Sequence, residues 1–224
     1  KDINKALNTP FDLANDCLFK IFYVNHNETK HTLYFNIHHI ICDGWSVGLI
    51  LSQLEKNYHN PTATISHSKR YQDFINWEQH IITQKNQKLT EFWKKELITR
   101  PNNTKLQHHI HSSPNTHFLT ENIPNQTDIF SFCQNHNITP FMYFLTALTV
   151  SWYELTQETH IIIGVPLANR SESAFHNIVG LFVNTVPFNL VIDPSSTFAE
   201  TLRIIRQKTL GIYDHHMYPF NKIV

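Results

Sequence analysis

The chain has 224 residues, with Lys plus Arg balanced against Asp plus Glu at 18 each. A net charge of zero excludes the basic field that recruits nucleic acid or an anionic membrane surface. A hydrophobic content of 41% excludes a disordered chain, and three scattered cysteines (Cys17, Cys42, Cys133) exclude a disulfide scaffold. They point instead to a reducing, cytoplasmic setting. The longest apolar-rich run, Phe141 to Leu155, is too short to span a bilayer.

The first third reads as a hairpin feeding a helix. Cys17 to Asn25 and His31 to His38 carry β-branched and aromatic residues around a polar turn. Leu33, Phe35 and Ile37 fall on one face of the second strand. A turn from Ile40 to Trp45 follows, with Gly44 available for positive φ and Ser46 as N-cap. Val47, Ile50, Leu51, Leu54 and Tyr58 then form a helical stripe.

Two further helices are expected, one on Tyr71, Phe74, Ile75 and Ile82 and one on Leu89, Phe92, Trp93 and Leu97. Arg100 to Ser113 has no period and reads as a linker, and its His108, His109 and His111 read as exposed. A strand is expected near Phe118 to Ile123 and a short helix near Asp128 to Asn135. Thr139 and Pro140 mark a helix start, and that helix is apolar nearly all round, as a central core helix would be. His160 to Val165 and Leu181 to Ile192 read as buried strands. Thr197-Phe198-Ala199-Glu200 is a capping box opening a helix with Leu202, Ile205 and Ile212 on one face. The class is α/β, with strands and helices interleaved (mixed α+β).

The sharpest feature is His38-His39-Ile40-Ile41-Cys42-Asp43-Gly44. Adjacent histidines at a strand end point to opposite faces, so one enters a cleft while the other packs. A neutral imidazole suits a general base near neutral pH. A random chain of this composition contains two histidines followed at this spacing by Asp-Gly with a frequency of roughly one in a thousand. The residues alone also allow a histidine pair that merely packs a turn. Cys42 reads as a small core residue.

His38-His39-x-x-x-Asp43-Gly44 resembles the HHxxxDG signature of nonribosomal peptide synthetase condensation domains and their acyltransferase relatives. Alone it would also fit a chloramphenicol acetyltransferase-like enzyme. Other segments resemble further motifs of the family, in family order. They are Pro10-Phe11-Asp12-Leu13, Tyr71-Gln72-Asp73-Phe74 with Trp77, Phe92-Trp93-Lys94, Gly164 to Arg170, Gly180-Leu181-Phe182-Val183-Asn184-Thr185, and His215 with Pro219-Phe220. His216, Met217 and Asn221 depart from the last of these.

The resemblance implies a two-lobed, chloramphenicol acetyltransferase-like fold, incomplete at both ends. Residues 1–99 would be the later N-lobe with connecting helices, and 100–224 the first part of the C-lobe. It implies amide-bond formation between thioesters held on the 4'-phosphopantetheine of donor and acceptor carrier proteins, with an adenylation domain in the same parent chain and no cofactor or metal bound directly. His39 is the expected catalytic residue; His38, Asp43 and Gly44 are structural, with the Gly44 N–H close to the developing oxyanion. Trp45, Ser46 and Asn184 are expected to line the channel, with a buried strand Asn that satisfies backbone groups as the equal reading of Asn184. The family pairs its motif Asp with an upstream Arg, which places the partner of Asp43 outside this chain. Arg170 is left with two readings, a pair with an acid in the crossing loop or a solvated surface position. The alternatives are an epimerization domain or free-standing acyltransferase of the same superfamily, and a noncatalytic partner-recruiting domain. An intact motif disfavours the last. The piece alone is expected to be inactive.

Overall fold

The computed structural model describes residues 3–62, 69–99, 120–123 and 125–224. In chain order the elements are α1 (Ile3–Leu7), β1 (Phe19–Asn25), β2 (His31–Ile37), a 3₁₀ turn (His39–Ile41), α2 (Gly44–His59), α3 (Tyr71–Glu96), α4 (Gln126–Asn135) and α5 (Pro140–Thr156). Then follow β3 (His160–Leu167), a second 3₁₀ turn (Ser173–Phe175), β4 (Asn184–Val191), α6 (Phe198–Tyr213) and α7 (Phe220–Ile223). The mixed α/β class expected from the sequence is the one found. The chain divides into two compact units, residues 1–83 with 168–183, and residues 84–167 with 184–224.

In the first unit β1 and β2 pair antiparallel, Phe19 opposite Ile37 through Asn25 opposite His31. Phe19, Ile21 and Tyr23 thereby share a face with Leu33, Phe35 and Ile37. Leu33 and the stripe residues Val47, Leu51, Leu54 and Tyr58 of α2 are exposed. The enclosed core of this unit is aromatic. Phe74, Phe175, Ile178 and Phe182 pack with Tyr71 and Trp77, and the Phe74 and Phe182 rings lie 4.4 Å apart. Offset aromatic pairs of this kind add to burial because edges meet faces.

In the second unit β3 and β4 pair antiparallel, His160 opposite Val191 through Leu167 opposite Asn184. Phe188, Leu190 and Val186 of β4 are almost wholly buried, with Leu202, Ile205 and Ile212 of α6 also in the core. Both expected helix starts are present. The Thr139 hydroxyl accepts from the Met142 N–H with Pro140 at the head of the helix, and Thr197 and Glu200 cap each other reciprocally.

Several expectations are corrected. The two helices expected between Tyr71 and Leu97 are one helix, α3, of 26 residues. No Gly or Pro lies between Ile82 and Leu89, so nothing interrupts the hydrogen-bond ladder. Helix α5 is not enclosed all round, because Phe144, Leu148 and Leu155 are exposed while Met142, Leu145, Thr146 and Thr149 are buried. Leu181 to Val183 lie before β4, outside its ladder. Residues 120–123 form no strand, and the remainder of that expected strand, the expected linker and its histidines fall outside the described residues. Among the described residues no helix is long and apolar enough to cross a membrane.

Candidate active site

The motif occupies the turn between β2 and α2. β2 ends at Ile37, so both histidines lie beyond the strand, and what separates them is the 3₁₀ turn rather than strand alternation. His38 caps that turn, its Nδ1 accepting from the Ile40 N–H at 3.1 Å. Its ring meets Phe11 edge-on, with centroids 6.0 Å apart. An Nδ1 that accepts must be unprotonated, so His38 carries its hydrogen on Nε2 and is committed to packing. His39 begins the turn, its carbonyl accepting from the Cys42 N–H at 3.2 Å, and its residue is exposed.

Asp43, not Ser46, is the N-cap of α2. Its Oδ1 accepts from the Ser46 N–H at 2.8 Å, and only 1% of the residue is exposed. Ser46 is the cap expected from the sequence, but the aspartate stands one position before the first helical residue, Gly44, and is itself a cap-forming residue type. Its other oxygen accepts from the Phe182 N–H at 3.1 Å.

The cation facing Asp43 is Arg170. Its Nη2 stands 3.2 Å from Oδ1 and 3.3 Å from Oδ2, with both side chains almost fully enclosed. This corrects the expectation that the partner lies outside this chain, and both readings of Arg170, since it is buried and its acid is the motif aspartate. The same guanidinium donates through Nη1 to the carbonyls of Phe175 and Ile178, both at 2.8 Å, and lies 3.7 Å over the Phe182 ring. Burial alone would raise the Asp43 carboxyl, but hydrogen bonds from Ser46 and Phe182 and the Arg170 charge outweigh it and hold it below the usual carboxylate range. Arg170 stays charged across the accessible pH range, as guanidinium groups do. Asp43 is thus a fixed anion with its lone pairs engaged. Cys42 is buried, and burial, then the Asp43 charge, pushes its thiol up from its ordinary value, which keeps it an inert thiol.

Gly44 opens α2 without positive φ, and a Cβ there would meet nothing within 4 Å. The turn therefore does not require glycine for its conformation. The Gly44 N–H lies in the first helical turn, where no earlier helical carbonyl can accept it. Trp45 is about half exposed, and its indole N–H donates to the His176 carbonyl at 2.9 Å. Ser46, expected at a channel wall, is fully enclosed. Its hydroxyl donates to the Gly180 carbonyl at 2.9 Å and accepts from the Gly180 N–H at 3.0 Å and from Arg170 Nη2 at 2.9 Å. Gly180 itself is sterically obliged, since a Cβ would stand 2.4 Å from the Tyr71 ring. The turn and residues 170–182 are therefore one hydrogen-bonded assembly. Sequence reading missed that assembly because its members lie more than 120 residues apart, although both segments stood out as motifs.

Asn184 opens β4 in the second unit and is buried. Its Nδ2 donates to the carbonyls of His216 and Tyr218 at 2.7 and 2.8 Å, and its Oδ1 accepts from the Phe220 N–H at 3.1 Å. The His215 ring stacks on Phe92 with centroids 3.8 Å apart.

The chain is 29% identical over 244 residues to the nonribosomal peptide synthetase agiA of Aspergillus flavus, covering 99% of this chain and 3% of that protein. It is 27% identical over 241 residues to the enniatin synthase of Fusarium equiseti, covering 100% of this chain and 8% of that protein. Among solved structures it superposes on SgcC5 of Streptomyces globisporus with a TM-score of 0.79 at 20% identity, covering 98% of this chain and 52% of that one. It superposes on the first condensation domain of the calcium-dependent antibiotic synthetase with a TM-score of 0.76 at 14% identity, covering 99% and 51%. The chain thus spans about half the length of these solved chains and under a tenth of these curated relatives. A family model described as the condensation domain matches residues 1–224, and the chain belongs to that family.

Proposed function

We propose that this chain is part of a condensation domain of a nonribosomal peptide synthetase that joins two carrier-bound thioesters through an amide bond. The observation that carries this reading is the division of labour within the motif. His38 is spent on capping and Asp43 on an ion pair, while His39 stands exposed and its ring makes no hydrogen bond among the described residues. In the reaction, the amine of the acceptor aminoacyl thioester attacks the donor thioester carbonyl. The C–N bond forms, the C–S bond breaks, and the amine proton leaves through His39 toward the departing thiolate. An α-amine with a pKa near 7.7–8.0 is partly free at neutral pH, so a positioned imidazole is well matched to it.

Orientation of the two tethered substrates supplies the remaining acceleration. The Gly44 N–H, in the first turn of a helix, is suited to the developing oxyanion. The open space at Gly44 leaves room for a substrate to approach. Trp45, whose indole is bonded to the His176 carbonyl, flanks that approach in this reading. In this reading residues 1–99 are the later N-lobe and 100–224 the first part of the C-lobe. The partners are donor and acceptor carrier proteins bearing 4'-phosphopantetheine, with an adenylation domain in the same cytoplasmic assembly; this chain alone is inactive.

The test is product formation by the full-length protein with its own loaded carriers. His39→Ala abolishes amide formation and leaves the fold intact. A folded variant with near-wild-type product formation overturns the role of His39.

A further inference from the structure

We infer that Ser46 is a positioning residue for the His39 turn rather than a residue that meets substrate; the inference rests on the reading of His39 as the reacting group. Ser46 is 0% exposed, so no substrate reaches it. Its hydroxyl uses its full capacity, donating once and accepting twice. Those bonds converge on two points that also hold Asp43. The Gly180 carbonyl accepts both from the Ser46 hydroxyl and from the Asp43 N–H, the latter at 3.3 Å. Arg170 Nη2 sits closer to the Ser46 Oγ, at 2.9 Å, than to either Asp43 oxygen, at 3.2 and 3.3 Å. Ser46 thus holds the same Nη2 that faces Asp43, while Nη1 is held by the Phe175 and Ile178 carbonyls at 2.8 Å.

From Asp43 the constraint passes along a short stretch of backbone. Asp43 follows Cys42, whose N–H is bound to the His39 carbonyl. A 3₁₀ turn this short has few internal degrees of freedom, so fixing its exit fixes its entrance. The Ser46 N–H already bonds to Asp43 Oδ1, so helix capping survives loss of the hydroxyl. What the hydroxyl adds is a further pair of bonds between the turn and Gly180, beside those from the Asp43 N–H to the Gly180 carbonyl and from the Phe182 N–H to Asp43 Oδ2. Without the hydroxyl the Gly180 N–H loses its partner, and Arg170 Nη2 retains only its longer contacts to Asp43 while Nη1 keeps the Phe175 and Ile178 carbonyls. The turn then samples positions in which the imidazole misses the reacting amine. A displacement of about 1 Å of a reacting group lowers a rate by about 100-fold.

The test compares Ser46→Ala with Leu202→Ala in the full-length protein. Leu202 is buried in the second unit and has no part in the assembly around Ser46, so its variant measures what general destabilisation does. Two readouts are taken: the first-turnover rate with the protein's own loaded carriers, and amide hydrogen exchange at Asp43 and Gly180. Ser46→Ala lowers the first-turnover rate by at least about tenfold and speeds exchange at both amides by at least about tenfold. Leu202→Ala lowers the melting temperature as much but leaves both readouts near wild type. The inference is overturned if Ser46→Ala leaves exchange at Asp43 and Gly180 unchanged, or if the two variants lose rate in equal proportion to stability. A wild type with no turnover overturns the amide-forming reading instead, and exchange at the two amides still decides whether Ser46 holds the turn.

Discussion

The two compact units each bury a polar tie, and they use different chemistry for it. In the first, Asp43 and Arg170 form an enclosed ion pair around which Ser46, Gly180 and Phe182 are arranged. In the second, two neutral asparagines do comparable work. Asn184 binds three backbone groups near the chain end. Asn189 donates to the carbonyls of Glu96 and Thr99 and pairs with the His160 ring. A buried ion pair is weak evidence for net stability, because desolvating both charges offsets their attraction. Breaking one is nonetheless severe, because the survivor is left charged and unpaired. A neutral amide carries neither penalty. The charged tie therefore specifies a geometry and is sensitive to pH, whereas the Asn184 tie, made to backbone groups alone, holds across pH.

The largest effect expected is that of Arg170→Met. It leaves the Asp43 carboxylate enclosed with no counter-charge, at a cost of about 3–5 kcal/mol. Trp45 and Trp77 lie in the first unit and Trp93 and Trp152 in the second, so single-tryptophan fluorescence reads the units separately. Denaturation should shift strongly for Trp77 and little for Trp93. The double variant Asp43→Asn with Arg170→Met should recover part of the loss, since neither charge then remains.

The pH dependence follows the same logic. The folded Asp43 pKa lies below its unfolded value. Its contribution is thus fully present above the unfolded value of about 3.9 and is lost as pH falls toward the folded value. The stability difference between wild type and the double variant should shrink on acidification below about pH 4. A difference that stays constant there would mean the carboxylate is not held by charge, and the contrast between the units would collapse.

Asn184→Ala comes next, at about 2–3 kcal/mol, because it strands two carbonyls and an N–H in a buried place. The loss should register at Trp93 and keep the same size from pH 7 to pH 4. Gly180→Ala should cost about 1–3 kcal/mol, since the new Cβ collides with the Tyr71 ring. That ring cannot turn away freely, as its hydroxyl is tied to the Leu181 carbonyl. Tyr71→Leu in the same chain should relieve the clash, and thermal melts of the single and double variants check this.

Local features of the fold were legible in the sequence, and the long-range ones were not. The hairpin strands, the Thr139-Pro140 start and the Thr197 capping box are written in contiguous residues, where propensity and cap chemistry act without help. The continuity of α3 was hidden by a gap in its apolar stripe, which a surface helix tolerates whenever one turn faces water. The apolar face of α5 misled for the opposite reason: composition does not say which side of a helix finds a neighbour. At the site, His39 and Asp43 were visible as a motif. Arg170 was not visible as the partner of Asp43, because one sequence does not reveal which of its cations crosses the chain to meet a given acid.

The smallest effect separates local from assembled stability. Thr197 caps α6 through its hydroxyl, which accepts from the Glu200 N–H at 3.3 Å, while the Glu200 carboxylate accepts from the Thr197 N–H and hydroxyl, both at 2.8 Å. All three bonds lie within four residues and are exposed to solvent, so water replaces whatever a mutation removes. Thr197→Ala should cost about 1 kcal/mol, the ordinary value of an N-cap. It should not alter exchange at Gly180 in the other unit. Thr197→Ser keeps the capping oxygen and should restore the stability. Were Thr197→Ala to cost as much as Asn184→Ala, burial would not be what distinguishes the ties of this molecule, and the weight given to the enclosed Asp43, Arg170 and Ser46 assembly would have to be shared with its surface caps.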